Sequence, residues 1–146
     1  MKVLCINIHT AKMTLYTLMF CCLLTCAEKI TPPTDIELSK ELLSGNLNGL
    51  GQDFKVWKID SMAIDNVGQT LTNSQLRYFQ QFDALGTWSD YDGLNGIWEM
   101  PNKNTINVTT NNKIMEYYDV NIMSFKLTMK RQAESQTLEY FYNIEN

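Results

Sequence analysis

The chain has 146 residues and a formal net charge of −4, with its one histidine and all four cysteines inside the first 26 positions. A mildly acidic body with no basic run lacks the phosphate-neutralising surface of a nucleic-acid binder. Past Cys26 there is neither histidine nor cysteine, which excludes Ser-His-Asp triads, cysteine nucleophiles, histidine-ligated zinc and haem.

Lys2, His9 and Lys12 form a positive leader, Met13 to Thr25 an uncharged apolar run, and Glu28 and Lys29 restore charge, the order of a secretory signal. The run is shorter than the roughly 20 apolar residues a spanning helix needs. Leu23-Leu24-Thr25-Cys26 resembles the lipobox of bacterial lipoproteins, in which cleavage precedes a cysteine that carries acyl chains; Thr25 stands where Gly, Ala or Ser is usual. That resemblance implies a signal peptide over residues 1–25 and lipid attachment at Cys26. It also implies a bacterial cell-envelope address, with the outer membrane expected, and the membrane as a partner through the anchor. Several acyl chains would hold firmly, since each buried methylene contributes about 0.8 kcal/mol. Removing 25 residues leaves 121, with ten basic and sixteen acidic side chains and a net charge of −6.

Residues 26–34 read as a tether stiffened by Pro32-Pro33, and residues 35–146 as one domain. Thr34 with Glu37 makes a capping box, Ile36, Leu42 and Leu43 share an apolar stripe edged by Leu38, and Gly45 sits where a helix stops. Residues 46–53 form a Gly/Asn-rich loop. From Phe54 onward, β-branched and aromatic segments are broken by turn residues in the rhythm of an antiparallel meander. Strands are predicted near 54–62, 75–83, 86–91, 96–100, 105–110, 114–121, 124–131 and 136–143. In 124–131, Phe125, Leu127 and Met129 alternate with Lys126, Thr128 and Lys130, so one face is expected in a core and the other in water. No connection after residue 75 is long enough for a crossover helix. The predicted fold class is all-β, an up-and-down barrel of about eight strands preceded by a short helix. Closure would remove the sheet edges.

Lys55-Val56-Trp57-Lys58-Ile59, the hairpin from Gly86 to Glu99 with Trp88 and Trp98, and Leu127-Thr128-Met129 together resemble the lipocalin-like domain of small bacterial envelope lipoproteins, over about residues 40 to 143. True lipocalins place Gly two residues before the first-strand Trp; here that position is Lys55. The resemblance implies a barrel that holds a small apolar ligand.

Trp57, Trp88 and Trp98, with Tyr78, Phe79, Phe82, Phe125 and Tyr140, either line such a cavity or fill the core. Filling is the favoured role for the set. Trp88, Trp98 and Tyr140 are the expected ligand contacts, and Trp57 is expected to plug the closed end under a cation–π contact from Arg131. Asp90, Asp92, Gly93 and Asn95 could gather oxygens around calcium, but Asp-x-Asp-Gly is also ordinary hairpin chemistry. No metal or cofactor is expected. Glu99 and Glu116 read as solvated strand residues, so no catalytic pair stands out and binding is expected in place of catalysis. The alternative is a filled barrel acting through Asp83–Gly86 and Asp92–Gly96 on an envelope protein partner, as an inhibitor or assembly lipoprotein would.

Overall fold

The computed structural model describes residues 34–45, 53–111 and 113–145. The expected signal segment, Cys26 and the expected tether before Thr34 lie outside the described residues, as do residues 46–52 of the expected loop.

Helix α1 (Asp35–Ser44) starts and stops as its sequence directs. The Thr34 hydroxyl accepts from the Glu37 amide, the Thr34 amide donates to the Glu37 carboxylate at 2.7 Å, and Gly45 closes the helix in the left-handed region at φ 96°. Those bonds hold the exposed Glu37 carboxyl below its usual pKa.

Nine strands follow: β1 (Phe54–Ile64), β2 (Val67–Gln69), β3 (Phe79–Asp83), β4 (Thr87–Asp90), β5 (Asn95–Asn102), β6 (Thr105–Thr110), β7 (Lys113–Ile122), β8 (Lys126–Ala133) and β9 (Gln136–Ile144). All pairings are antiparallel, and β9 pairs back on β1, so eight strands close into a barrel with β2 appended. The alternation that predicted strands also predicts their inner face. Ile106, Val108 and Thr110 of β6, and Leu127 and Met129 of β8, are buried while their neighbours are less so.

Three details differ from the sequence expectation. Strand β1 runs two residues further and folds back into β2 through Asp65 and Asn66, both at positive φ, as a two-residue hairpin requires. Gln75–Arg77 is a 3-10 turn and not strand, and the chain entering it is bent by a reciprocal pair: the Thr72 amide donates to the Gln75 side chain and the Gln75 amide to the Thr72 hydroxyl. Phe125 does not join Leu127 and Met129 in the core. It sits 70 % exposed in the β7–β8 turn that the Met123 amide closes on the Lys126 carbonyl.

The end of the barrel near Trp57 is shut by α1, which packs against β1, β3, β5 and β7. Leu43 is fully buried there, and the Trp57 indole donates to its carbonyl at 2.9 Å. Lys55 donates to the Leu42 carbonyl at 2.7 Å and lies over the Trp57 ring, 5.4 Å from its centroid. Carbonyls at a helix C-terminus lack intrahelical partners and carry partial negative charge. No basic residue of α1 itself serves its last turn, so Lys55 supplies the cation from β1. Partial burial lowers the Lys55 pKa. Trp57 is thus a plug, as expected, but Lys55 and not Arg131 covers it. Arg131 is opposite Leu138, and Leu138 opposite Ile64, which puts it seven positions along β1 from Trp57, roughly 20 Å at strand rise.

Around the plug the lower barrel is solid. Phe82 packs edge-to-face on Trp98, their centroids 5.8 Å apart, and Ile106, Val108, Leu127 and Met129 complete the layer. Gly96 is obligatory at its crossing, since a Cβ there would fall on the Thr109 carbonyl oxygen and within 2.9 Å of the Thr110 methyl. Gly96→Ala is expected to destabilise the barrel by about 3 kcal/mol, the upper range for overpacking. A urea midpoint indistinguishable from wild type would show that β6 can retreat freely.

Candidate functional site

The opposite half of the barrel is open, and holds a cavity of about 490 Å³. Its floor is a polar layer. Gln80, 1 % exposed, accepts from the Trp88 indole at 3.0 Å through its carbonyl and donates to the Tyr142 hydroxyl at 2.8 Å through its amide. A buried amide is stable only when its groups are satisfied, and this pair of bonds fixes its orientation. The register explains the layer: Trp57 is opposite Gln80, Gln80 opposite Asp90, and Ile59 opposite Tyr142.

The walls come from inward positions above that layer. Strand β1 gives Ile59 and, after the irregularity between Ile59 and Ser61, Met62; β7 gives Met115 and Tyr117; β9 gives Tyr140. Arg131 is the next inward residue of the β8 series that begins Leu127, Met129. The mouth is edged by two segments. Leu71, Ser74 and Gln75 belong to the connection from β2 to β3, pinned to β1 where the Ile59 amide donates to the Tyr78 carbonyl. Tyr91, Asp92 and Leu94 belong to the β4–β5 turn.

Asp90 builds that turn. One carboxylate oxygen accepts the amides of Asp92 and Leu94 at 3.1 and 3.0 Å, and the other accepts the Tyr78 hydroxyl at 3.2 Å. Its oxygens are therefore committed to turn and wall, and no cluster of three or more metal-ligating side chains occurs among the described residues.

The hydroxyls around the cavity are kept protonated. Burial pushes Tyr117 up to about 12 and raises Tyr78, Tyr140 and Tyr142 as well, while the Arg131 charge partly opposes the rise at Tyr117 and Tyr140. The Tyr117 and Tyr140 rings meet edge-to-face with centroids 6.4 Å apart. Among the described residues Arg131 forms no ion pair, and its guanidinium contacts the Met115 sulfur at 3.6 Å.

Of the expected ligand contacts, Tyr140 lines the cavity. Trp88 lies in the floor layer, its indole committed to Gln80, and Trp98 lies lower still, its indole donating to the Asp83 carbonyl at 2.9 Å. Tyr78 lines the cavity too, whereas Trp57 and Phe82 fill the core and Phe79 packs on Tyr91. Tyr117, Tyr142, Met62 and Met115 join the cavity without a sequence signal that marks them, and Arg131 lines it in place of covering Trp57. For Arg131 the signal was present: it continues the Leu127, Met129 alternation. The loops Asp83–Gly86 and Asp92–Gly96 leave opposite ends of β4, so they do not form one surface.

Comparison with protein-family models, with curated proteins and with solved structures finds no match for this chain.

Proposed function

We propose that this protein is a lipid-anchored binding protein of the bacterial cell envelope whose barrel takes up a small, predominantly apolar molecule. The observation that carries the binding half is the cavity above the Gln80 layer. Its volume lies within the range of small-molecule sites, about 300 to 1,000 Å³, and its walls combine aliphatic and thioether surface with tyrosine rings and a substantial share of polar groups. The closed eight-stranded barrel, with a helix over one end, is compatible with the lipocalin-like resemblance. No helix among the described residues is long and apolar enough to cross a membrane, and the anchor rests on the Leu23–Cys26 motif alone. Metabolic labelling with a clickable fatty acid tests it: label on the wild type and none on Cys26→Ser is the expected result.

Uptake is tested with N-phenyl-1-naphthylamine, a neutral aryl amine that fluoresces on leaving water. Saturable enhancement is expected with the wild type. Met115→Trp, which places a large ring in the cavity, is expected to weaken it at least about tenfold, the equivalent of losing one or two well-packed apolar contacts. Enhancement that is non-saturable, or equal in the variant, would remove the proposal.

The second reading, loop-mediated contact with an envelope protein, has one favouring observation: Leu85, 90 % exposed on the Asp83–Gly86 turn.

A further inference from the structure

We infer that the cavity selects an amphiphile bearing one anionic oxygen-rich head, a carboxylate or sulfonate, and that Arg131 is its anchor. This rests on the binding function proposed above and adds the ligand's charge. Inward positions of a barrel are normally apolar, and a guanidinium withdrawn from water normally has a carboxylate beside it. Arg131 stands half-buried at an inward position of the cavity wall, and its ion-pairing partners among the described residues are none. The acid on the same wall, Asp90, accepts two backbone amides and the Tyr78 hydroxyl and forms no ion pair with Arg131. Asp92 stands exposed at the mouth.

Two further donors converge on the same place. Tyr117 and Tyr140 line the same cavity as Arg131, their rings edge-to-face with centroids 6.4 Å apart, and no hydrogen bond donated by either hydroxyl occurs among the described residues. The planar guanidinium offers only donors and each phenolic O–H can add one, and a set rich in donors matches an anionic head. The apolar remainder of the ligand would lie along Ile59, Met62 and Met115. A cation fits this arrangement poorly, because the Arg131 charge on the wall would repel it.

The test compares two probes with the same body. 1-Anilinonaphthalene-8-sulfonate is N-phenyl-1-naphthylamine with a sulfonate added, so the ratio of their dissociation constants reports the head alone. The wild type is expected to hold the sulfonate about tenfold or more tightly over the neutral amine, the usual scale of a charge-assisted pair. Arg131→Met is expected to abolish that ratio, which is internal to each variant and so independent of any change in affinity for the neutral amine, and Arg131→Lys to restore part of it, as a point charge lacking the planar fork would. Decanoate should displace the sulfonate probe more effectively than decanol from the wild type and equally from Arg131→Met. Saturable binding of the neutral amine with no preference for the sulfonate, or a preference that survives Arg131→Met, would overturn the anion assignment and leave apolar binding intact. Binding of neither probe would overturn both.

Discussion

Trp57→Ala should remove about 3 to 5 kcal/mol of stability, the range for truncating a large buried aromatic. Trp57 is the largest fully buried side chain of the described residues. It fills the end of the barrel, and its indole is the donor for the Leu43 carbonyl at the C-terminus of α1. Truncation therefore opens a void and strands an acceptor at once. It also takes away the ring beneath Lys55, whose ammonium lies 5.4 Å from the centroid. For a domain with a total stability of about 5 to 15 kcal/mol the loss is a large fraction of the whole. Trp57→Phe separates the contributions, because it keeps most of the volume and deletes the donor. Its cost is expected near 1 to 3 kcal/mol, that of a buried acceptor left without a partner. Both variants should show faster amide exchange in α1 than in β6. A shift below about 1 kcal/mol in the urea titration of Trp57→Ala would contradict the plug.

Raising the pH through the window from 10 to 12 should unfold the protein. Tyr117 keeps its proton up to about 12 in the folded chain, whereas an unfolded tyrosine ionises near its ordinary value of about 10. Between the two the native state binds more protons, so stability is constant below the unfolded value and falls as pH rises through the folded one. At about 1.4 kcal/mol for each pH unit, Tyr117 alone accounts for on the order of 3 kcal/mol. Tyr78, Tyr140 and Tyr142 are raised in the same direction by burial, and all four line one cavity. Tyrosinate absorbance followed together with circular dichroism should therefore show a cohort of tyrosines ionising only as ellipticity is lost. Tyr117→Phe should flatten the pH dependence of the urea midpoint. Ionisation of all six tyrosines beyond Cys26 near the ordinary value, with the sheet intact, would exclude this account.

What the sequence disclosed depended on how local the cause was. The capping box at Thr34 and Glu37, the Gly45 stop and the alternation in β8 act over two to four residues, and each appears in place. Strand β2 was invisible because Val67-Gly68-Gln69 is short and exposed, and only the Asp65-Asn66 turn betrays it. Phe125 looked like core by parity, but the β7–β8 turn ends the strand period one residue too early for it to count. The site was less legible. Which tyrosines meet depends on the register of β7, β8 and β9, including irregularities at Tyr118–Asn121 and Ile59–Ser61 that shift inward parity partway along a strand. Arg131 was misplaced for the same reason: its inward parity could be read, but its height in the barrel could not.

The amide of Gln80, held between the Trp88 indole and the Tyr142 hydroxyl, acts as a bulkhead. Everything beneath it is packed and concerned with staying folded; everything above it borders space. Substitutions on the two sides share few neighbours, so their effects should add, and the upper compartment can be reshaped for other guests while the lower one continues to hold the barrel shut. Guest length is capped as well, since a molecule that reaches the bulkhead can go no deeper.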